Sequence, residues 1–232
     1  MIKRHLRAVI PESLRLLIQR HRSPFGSKSS EAIFSEIYET GFWQYSETDS
    51  RSGPGSSMES TRILRKELKR FIVQNNIQSI VDVGCGDFNW MHTLIEHAFR
   101  YDGFDLVPQL IEKNEATYGS ASCRFHVLDE DTTFPKGDVV IVRDVLVHLN
   151  YEAIRTLLRR VLLSEPSFLA LTHFPTIKNE NVITGHWRPL NWCIAPFHFP
   201  QPDFCLREMV DGKQLAVWKV SDDVERIDSF LS

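Results

Sequence analysis

The residues with the clearest chemical potential stand at the end of the apolar run Ser79–Val83, which continues as Gly84-Cys85-Gly86. A short apolar run bounded by glycines predicts a buried β-strand. Glycines at positions 84 and 86 let a ligand approach the backbone closely, and the helix that we expect after them would offer free N–H groups. A second predicted strand ends at Asp105, roughly 20 positions further on, where a carboxylate can accept hydrogen bonds from two ribose hydroxyls. The pattern therefore predicts a site for an adenosine-containing ligand.

The same turn departs from the fingerprint of dinucleotide-binding proteins. That fingerprint has a third glycine, which would fall at position 89, and Asn89 stands there. The acidic residue at position 105 would nevertheless serve NAD, so a nicotinamide-dependent oxidoreductase stays open as an alternative. The plainest alternative is an ordinary strand-to-helix turn in which the glycines only shape the backbone.

The elements that must hold these residues alternate along the chain. Strand-like apolar runs recur from residue 79 onward, separated by helical patterns such as Pro108–Tyr118 and the stretch that Asn150 precedes as a cap. Such alternation predicts an α/β domain with a doubly wound, mostly parallel sheet and helices on both faces. Two final runs joined by Asp211-Gly-Lys213 predict an antiparallel hairpin, because Asp-Gly between apolar runs is a strong hairpin signal. We expect seven strands.

Residues 60–220 resemble the class I S-adenosylmethionine-dependent methyltransferases in four places. Val81-Asp-Val-Gly-Cys-Gly86 is similar to the family's glycine turn. Asp105 matches the acidic residue that binds the ribose, and Asp129 matches the position beside the adenine amino group. Residues 138–149 resemble the fourth strand and the segment after it, which lines the methyl-transfer site.

This resemblance implies a Rossmann-like methyltransferase domain and S-adenosylmethionine as the cofactor. One departure is Phe88, which replaces the third glycine of the fullest form of the turn, a variant that is common in the family. No Asp-Pro-Pro-Tyr-like element follows the fourth strand, which argues against a nucleic-acid acceptor. The cofactor-binding residues implied are Asp82, Gly84, Cys85, Gly86, Asp105, Leu106, Asp129, Arg143 and Asp144.

Three residues are candidates for the transfer step itself: His148, His173 and Arg188. The cofactor is already a strong methyl donor, so the protein mainly has to align an acceptor and exclude water. We expect the acceptor to be an oxygen of a small molecule or glycan. A hydroxyl needs a general base, and the two histidines follow the fourth and fifth predicted strands at the ligand-binding edge. An anionic oxygen needs a clamp, for which we expect Arg188, with Arg143 as the alternative. Hydroxyl chemistry is favoured, and a cofactor-binding module without activity stays open.

Residues 175–203 form a connection far longer than the usual ~4–6-residue loop, which is typical of a functional segment. Its aromatic residues stand among polar ones, as in a pocket for a sugar or small molecule. These aromatic residues are Trp187, Trp192, Phe197 and Phe199. Additional core over the sheet explains the pattern equally well. No metal-ligand spacing is present.

The chain divides into residues 1–57, a helical extension and lid, and residues 58–232, the methyltransferase domain. The lid would include Phe42-Trp43 and the loop Gly53–Ser56. Residues 1–28 carry seven Lys and Arg against one acidic residue. They predict either an extension packed on the domain or a basic amphipathic segment that touches an anionic membrane or an acidic partner.

Composition excludes several classes of protein. The 232 residues are 42% hydrophobic and have a net charge of −3, which indicates a globular chain without the basic excess of a nucleic-acid coat. No apolar run approaches the ~18–20 residues that span a bilayer. The four cysteines form no Cys-x-x-Cys pair, and no secretory apolar segment begins the chain. We therefore expect a cytoplasmic protein, peripheral at the membrane if its basic segment binds lipid; the sequence leaves the oligomeric state open.

Overall fold

The computed structural model describes residues 16, 23, 25, 28–42, 50–95, 99–210 and 212–220. The α-helices within these residues are α1 (Ser30–Thr40), α2 (Arg62–Gln74), α3 (Pro108–Tyr118) and α4 (Tyr151–Leu162). The strands are β1 (Ser79–Val83), β2 (Arg100–Asp105), β3 (Cys123–Val127), β4 (Val139–Val142), β5 (Phe168–His173), β6 (Phe204–Arg207) and β7 (Gln214–Lys219). Short 3₁₀ turns span Pro54–Ser56, Met91–Thr93 and Leu146–His148.

The seven strands form one sheet in the order β3-β2-β1-β4-β5-β7-β6. The first five strands are parallel, and β7 runs antiparallel to both β5 and β6. The predicted doubly wound sheet that ends in an antiparallel hairpin is confirmed. The strand order reverses between β1 and β4, and sheets of this kind bind ligands in the crevice at that switch point.

The register of the central strands brings the glycine turn and Asp105 together. All four residues of β4 are fully buried, which explains its continuous apolar sequence. Val83 at the end of β1 pairs with Phe104 of β2. Gly84 follows Val83 and Asp105 follows Phe104, so both residues lie at the same carboxyl edge of the sheet.

Each face of the sheet carries an apolar core, and helices cover both faces. The core under α4 includes Trp192, Phe197 and Phe199 of the long connection, packed with Trp218 of β7. The apolar stripe of α2 belongs to the core on the other face. Most aromatic residues of the long connection are therefore core residues, whereas Trp187 is 56% exposed.

Two predicted helix starts have different outcomes. Asn150 caps α4 as expected, since its Oδ1 accepts a hydrogen bond from the N–H of Ala153 at 2.9 Å. Ser57 precedes the apolar stripe of Ile63, Leu64, Leu68, Phe71 and Ile72, a pattern that predicts a helix cap. It lies too early in the chain to cap α2, because the helix begins at Arg62. Its hydroxyl instead accepts a hydrogen bond from the N–H of Ser60 at 3.1 Å, within the preceding turn.

The segment after β1 also differs from the prediction. No α-helix follows the glycine turn in residues 87–95, where the structure has only the 3₁₀ turn Met91–Thr93. Phe88, Trp90 and Met91 are all buried, and one helical face cannot bury residues at that spacing. Backbone donors for a ligand here come from the turn itself.

The amino-terminal predictions are tested only in part. Of the basic segment, residues 1–28, the structure describes Leu16, Ser23, Phe25 and Lys28. The rest of that segment and Trp43 lie outside the described residues. α1 packs Ile33 and Ile37 against Phe25 in a small separate core. The division at residue 57 stays a prediction.

Candidate functional site

A cavity opens at the carboxyl edge of the sheet, beside the switch point. Its walls enclose about 880 Å³ of space between atoms, a figure that includes open solvent at the mouth. Strand ends, the glycine turn, α1 and the loop of residues 51–56 contribute to its wall. Eight of the nine residues predicted to bind the cofactor line it: Asp82, Gly84, Cys85, Gly86, Asp105, Leu106, Arg143 and Asp144.

Both glycines of the turn are required by its backbone course. Gly84 has a φ of 84° and Gly86 a φ of 58°, in the left-handed region that favours glycine. A Cβ on Gly84 would lie 2.0 Å from Cγ2 of Val145, and one on Gly86 would lie 2.4 Å from Oγ of Ser52. The side-chain amide of Asn114 on α3 donates to the carbonyl of Gly86 at 2.7 Å. The turn is therefore fixed from several sides.

Phe88 has a left-handed backbone conformation, which glycine adopts without strain. Its φ is 55°, a conformation that costs an ordinary residue roughly 1–2 kcal/mol. Its ring is buried against Tyr101, Tyr118 and Phe125, with centroids 4.8, 5.1 and 5.0 Å away. Because aromatic packing stabilises this position, the departure from the fullest motif leaves the turn intact.

Asp105 is held by backbone donors at the cavity wall. Its Oδ2 accepts a hydrogen bond from the N–H of Gly86 at 3.0 Å, and its Oδ1 from the N–H of Val107 at 3.2 Å. Burial raises the pKa of this carboxyl, and the N–H groups act in the opposite direction. Each oxygen has a second lone pair, so the carboxylate can still accept hydrogen bonds from two ribose hydroxyls.

Asp82 lies deeper in the wall and can respond to the charge of a ligand. Its Oδ2 accepts a hydrogen bond from the hydroxyl of Tyr101 at 2.8 Å. Burial raises the pKa of Asp82 to about 7, against the hydrogen bond of Tyr101 and the charge of Arg143. A cation bound beside it would favour the ionised form. Burial also raises the pKa of Cys85, so its thiol lines the cavity as a neutral group.

Asp87 fastens residues 50–52 over the glycine turn. Its Oδ2 accepts hydrogen bonds from the hydroxyl of Ser50 at 2.7 Å and from the N–H of Arg51 at 3.1 Å. Its own N–H donates to the hydroxyl of Ser52 at 2.9 Å. These bonds join residues 35 to 37 positions apart and make the loop part of the cavity wall.

Arg143 and Asp144 belong to an ion cluster with Glu208 and Lys213 of the hairpin, in which only Asp144 is partly exposed. Arg143 donates twice to Glu208, at 3.1 and 2.6 Å, and Nζ of Lys213 lies 2.5 Å from Asp144 and 3.0 Å from Glu208. Although burial acts in the opposite direction, these two cations lower the pKa of Asp144 to about 2. Arg143 also donates to the carbonyl of Gly55 at 2.9 Å, which links the hairpin to the loop over the glycine turn.

Sequence analysis missed four residues of this arrangement: Arg51, Asp87, Glu208 and Lys213. Charged residues beside a Gly-Pro-Gly loop or an Asp-Gly turn are typical of solvated surface, so their types gave no signal. Asp87 was the easiest of the four to predict, because it directly follows the glycine turn.

Asp129 is the predicted cofactor residue that the structure places elsewhere. It is exposed, and its Oδ1 accepts hydrogen bonds from the hydroxyl of Thr132 at 2.6 Å and the N–H of Asp131 at 3.1 Å. The bond from Thr132 lowers the pKa of Asp129. The preceding residue, Leu128, lines the cavity.

Neither His148 nor His173 lines the cavity. Burial lowers the pKa of His148 to about 4, and the nearby charge of Asp144 acts in the opposite direction. Burial also lowers the pKa of His173, whose Nδ1 accepts a hydrogen bond from the N–H of Trp192 at 3.4 Å. Both are neutral at pH 7, as a general base must be. Of the two histidines, His148 interacts with a charged residue of the cavity wall, which is Asp144.

Arg188 is buried, and its guanidinium is bonded to backbone carbonyls. Its guanidinium donates to the carbonyls of Leu146 at 2.6 Å, Leu149 at 2.5 Å and Glu180 at 3.2 Å. Burial lowers the pKa of Arg188 to about 10. It therefore holds the long connection to the 3₁₀ turn after β4, outside the cavity lining.

Other kinds of site are scarce in the part of the chain that the structure describes. Within it, no three His, Cys, Asp or Glu side chains are arranged to hold a metal ion. No described helix combines the length and the apolar character that crossing a membrane requires. The four cysteines are free thiols.

No protein-family model matches the chain, and no curated protein matches it by sequence. Solved structures match it by fold. Magnesium protoporphyrin IX methyltransferase from Synechocystis PCC 6803 with bound SAM has a TM-score of 0.58 and 13% identity, over 82% of this chain and 97% of that one. The S-adenosylmethionine-dependent methyltransferase SibL in its apo form has a TM-score of 0.53 and 17% identity, over 88% and 72%. The methyltransferase domain of the bacterial protein CtHen1-CN has a TM-score of 0.52 and 12% identity, over 69% and 99%.

These matches establish the architecture. The chain has the class I methyltransferase fold, as its resemblance to that family implied. At identities of 12 to 17%, shared fold does not carry an activity or a substrate from one protein to another. Those must be argued from the site.

Proposed function

We propose that this chain is an S-adenosylmethionine-dependent methyltransferase. The observation that carries the proposal is the convergence of eight predicted cofactor residues on one cavity at the switch point of the sheet. The residues suit this cofactor chemically. Asp105 has lone pairs for ribose hydroxyls, Asp82 can ionise beside an α-ammonium, and the glycine turn exposes backbone where a side chain would block it. A bound SAM in one structure of the same fold supports the same assignment.

S-adenosylmethionine supplies an activated methyl group, and the residues of this chain bind, orient and shield. Asp105 would hold the ribose, and Asp82 would hold the ammonium. α1 and the loop of residues 51–56 stand in the cavity wall, where they restrict the access of water. Leu106 and Leu128 add apolar surface to the same wall.

We further propose an oxygen of a small molecule or glycan as the acceptor, with His148 as the general base. A neutral His148 can take the proton of a hydroxyl, and the ionised carboxylate of Asp144 would stabilise the imidazolium that forms. His173 is the second candidate. The occupation of Arg188 by backbone carbonyls supports hydroxyl over anionic chemistry.

The test measures transfer of a labelled methyl group from S-adenosylmethionine to a panel of sugars, sugar phosphates and phenols. We expect His148→Gln to lower kcat by roughly 10²–10⁴, with little change in KM, while His173→Gln keeps most of its activity. Because the pKa of His148 is about 4, kcat should be flat from pH 6 to 8 and fall near pH 4, where the base is protonated. Full activity in both variants would exclude a histidine base.

A cofactor-binding module without activity is the second candidate, because none of the three side chains predicted for catalysis lines the cavity. Such a module would bind S-adenosylhomocysteine and methylate nothing in the panel. A nicotinamide-dependent oxidoreductase would instead bind NAD, which isothermal titration calorimetry with NAD tests.

A further inference from the structure

We propose that Arg51 is the counter-ion for the carboxylate of the cofactor's amino-acid end. The inference rests on the proposed function, because it assigns one more partner within the same cavity. It also gives the loop over the glycine turn a task beyond covering the site.

The position of Arg51 is set by its neighbours in the chain. Asp87 binds the N–H of Arg51 and both adjoining serines, so the loop is fastened on either side of this residue. Ser52 lies so close to Gly86 that a Cβ there would meet its Oγ at 2.4 Å. Arg51 therefore enters the cavity wall directly beside the glycine turn.

The guanidinium of Arg51 is held over an aromatic ring. It lies 5.5 Å from the ring centroid of Tyr38 on α1, and both residues line the cavity. The side chain of Arg51 also donates a hydrogen bond to the hydroxyl of Tyr38. A guanidinium has five N–H donors, so others remain for a carboxylate. The two elements that cross the cavity, α1 and the loop, thus present one cation together.

Charge balance in the wall explains why this cation is needed. The acidic residues of the lining are Asp82, Asp105 and Asp144, and its basic residues are Arg51 and Arg143. Arg143 is already paired with Asp144 and Glu208. Among the described residues, no carboxylate side chain forms a salt bridge with Arg51.

An amino-acid end carries an ammonium and a carboxylate, and a wall of acidic residues alone would repel the carboxylate. Asp82 suits the ammonium, and Arg51 suits the carboxylate, which a guanidinium can bind through two parallel hydrogen bonds. Asp82 lies in β1 and Arg51 in the loop over the glycine turn, and both line the cavity. Together they form a site complementary to a zwitterion.

The test compares two ligands that differ in this end alone, by isothermal calorimetry. S-adenosylhomocysteine has the amino-acid end, and 5′-methylthioadenosine keeps the adenosine and thioether without it. We expect Arg51→Ala to weaken binding of S-adenosylhomocysteine about 10- to 100-fold and to leave methylthioadenosine within about twofold. Arg51→Lys should recover part of the loss, because it restores the charge without the planar fork. Arg62→Ala, an exposed arginine that does not line the cavity, is the matched control and should leave both affinities unchanged.

Each other outcome overturns the proposal in a recognisable way. Equal losses for both ligands would mean that Arg51 only supports the loop, and no loss for either would mean that it has no part in binding. Asp87→Asn gives a second route, since loosening the loop should weaken S-adenosylhomocysteine more than methylthioadenosine. A wild-type protein that binds neither ligand would refute the proposed function itself.

Discussion

The two ends of the sheet's carboxyl edge use their polar residues differently. Beside β1 and β2, the glycine turn and Asp105 line one cavity. Beside β4 and β5, His148, His173 and Arg188 lie outside that lining, and Arg188 is bonded to backbone carbonyls. The contrast shows that a backbone requirement predicted the lining of the cavity better than a reactive residue type did. A buried histidine or arginine serves a scaffold well, whereas a left-handed glycine beside an open crevice has few structural reasons to be there.

The largest effect should come from the backbone of the glycine turn. In Gly84→Ala, a Cβ would lie 2.0 Å from Cγ2 of Val145, on a residue with a φ of 84°. We expect calorimetry to show S-adenosylhomocysteine binding weakened by about 100-fold or more, and the free energy of unfolding lowered by about 2–4 kcal/mol. Adding Val145→Ala should restore stability more than affinity.

Gly55→Ala is the matched control for that change. Gly55 belongs to the loop beside the same cavity, its φ is outside the left-handed region, and its Cβ would lie 3.2 Å from Oδ2 of Asp144. Affinity should change by less than about fivefold. Equal losses in the two variants would contradict the special status of the turn.

The next effect belongs to the other end of the edge and concerns stability. Arg188→Met leaves the carbonyls of Leu146, Leu149 and Glu180 without this donor. We expect chemical denaturation to show a loss of about 2–4 kcal/mol, with affinity for S-adenosylhomocysteine within about twofold. Arg124→Met, an exposed position on the edge strand β3, should change stability by less than about 0.5 kcal/mol. A raised KM for the acceptor without a loss of stability would return Arg188 to the role of a clamp.

A smaller effect separates two carboxylates that sequence resemblance treats alike. Asp105→Ala should weaken S-adenosylhomocysteine about 10- to 100-fold, because the ribose hydroxyls lose a charged acceptor. Asp129→Ala should change the affinity by less than about twofold, since its carboxylate is bonded to Thr132 outside the cavity. Comparable losses would show that Asp129 does reach the ligand.

The smallest effect is a pH dependence. Burial raises the pKa of Asp82 to about 7, and the ammonium of a ligand favours the ionised form. Affinity for S-adenosylhomocysteine should therefore rise about three- to tenfold from pH 6 to 8, and Asp82→Asn should flatten the profile. Without ligand, the effect of rising pH on the stability of the fold has the opposite sign. The folded state retains the proton that the unfolded chain loses, so this carboxyl lowers stability as the pH rises from about 4 to 7. An unchanged slope in the variant would assign the titration to another group.

Local sequence patterns predicted the bounds of those elements that show one pattern over their whole length. β1 (Ser79–Val83) and α3 (Pro108–Tyr118) have the predicted bounds, because a short apolar run that ends at a glycine turn and a proline at a helix start both mark boundaries clearly. The segment after the glycine turn was mispredicted as helix. There the core takes Phe88, Trp90 and Met91 at a spacing that no regular helix provides.

The parts of the site that sequence could not predict depend on distant partners. Asp87 meets Ser50 across 37 positions, and Arg143 meets Glu208 across 65. No periodicity records such pairings, and each residue taken alone resembles solvated surface. The glycine turn and Asp105 were predictable because backbone course and strand register constrain them locally.

The ion cluster has a consequence for the order in which a ribosome delivers this chain. Arg143 and Asp144 emerge well before Glu208 and Lys213, and until the hairpin arrives Arg143 lacks Glu208 and β5 lacks its antiparallel neighbour. A nascent chain that ends before the hairpin therefore has the glycine turn but not the contacts that hold Arg143, and through it the carbonyl of Gly55, in place. We expect the cavity at the carboxyl edge of the sheet to be complete only after β6 and β7 have left the exit tunnel.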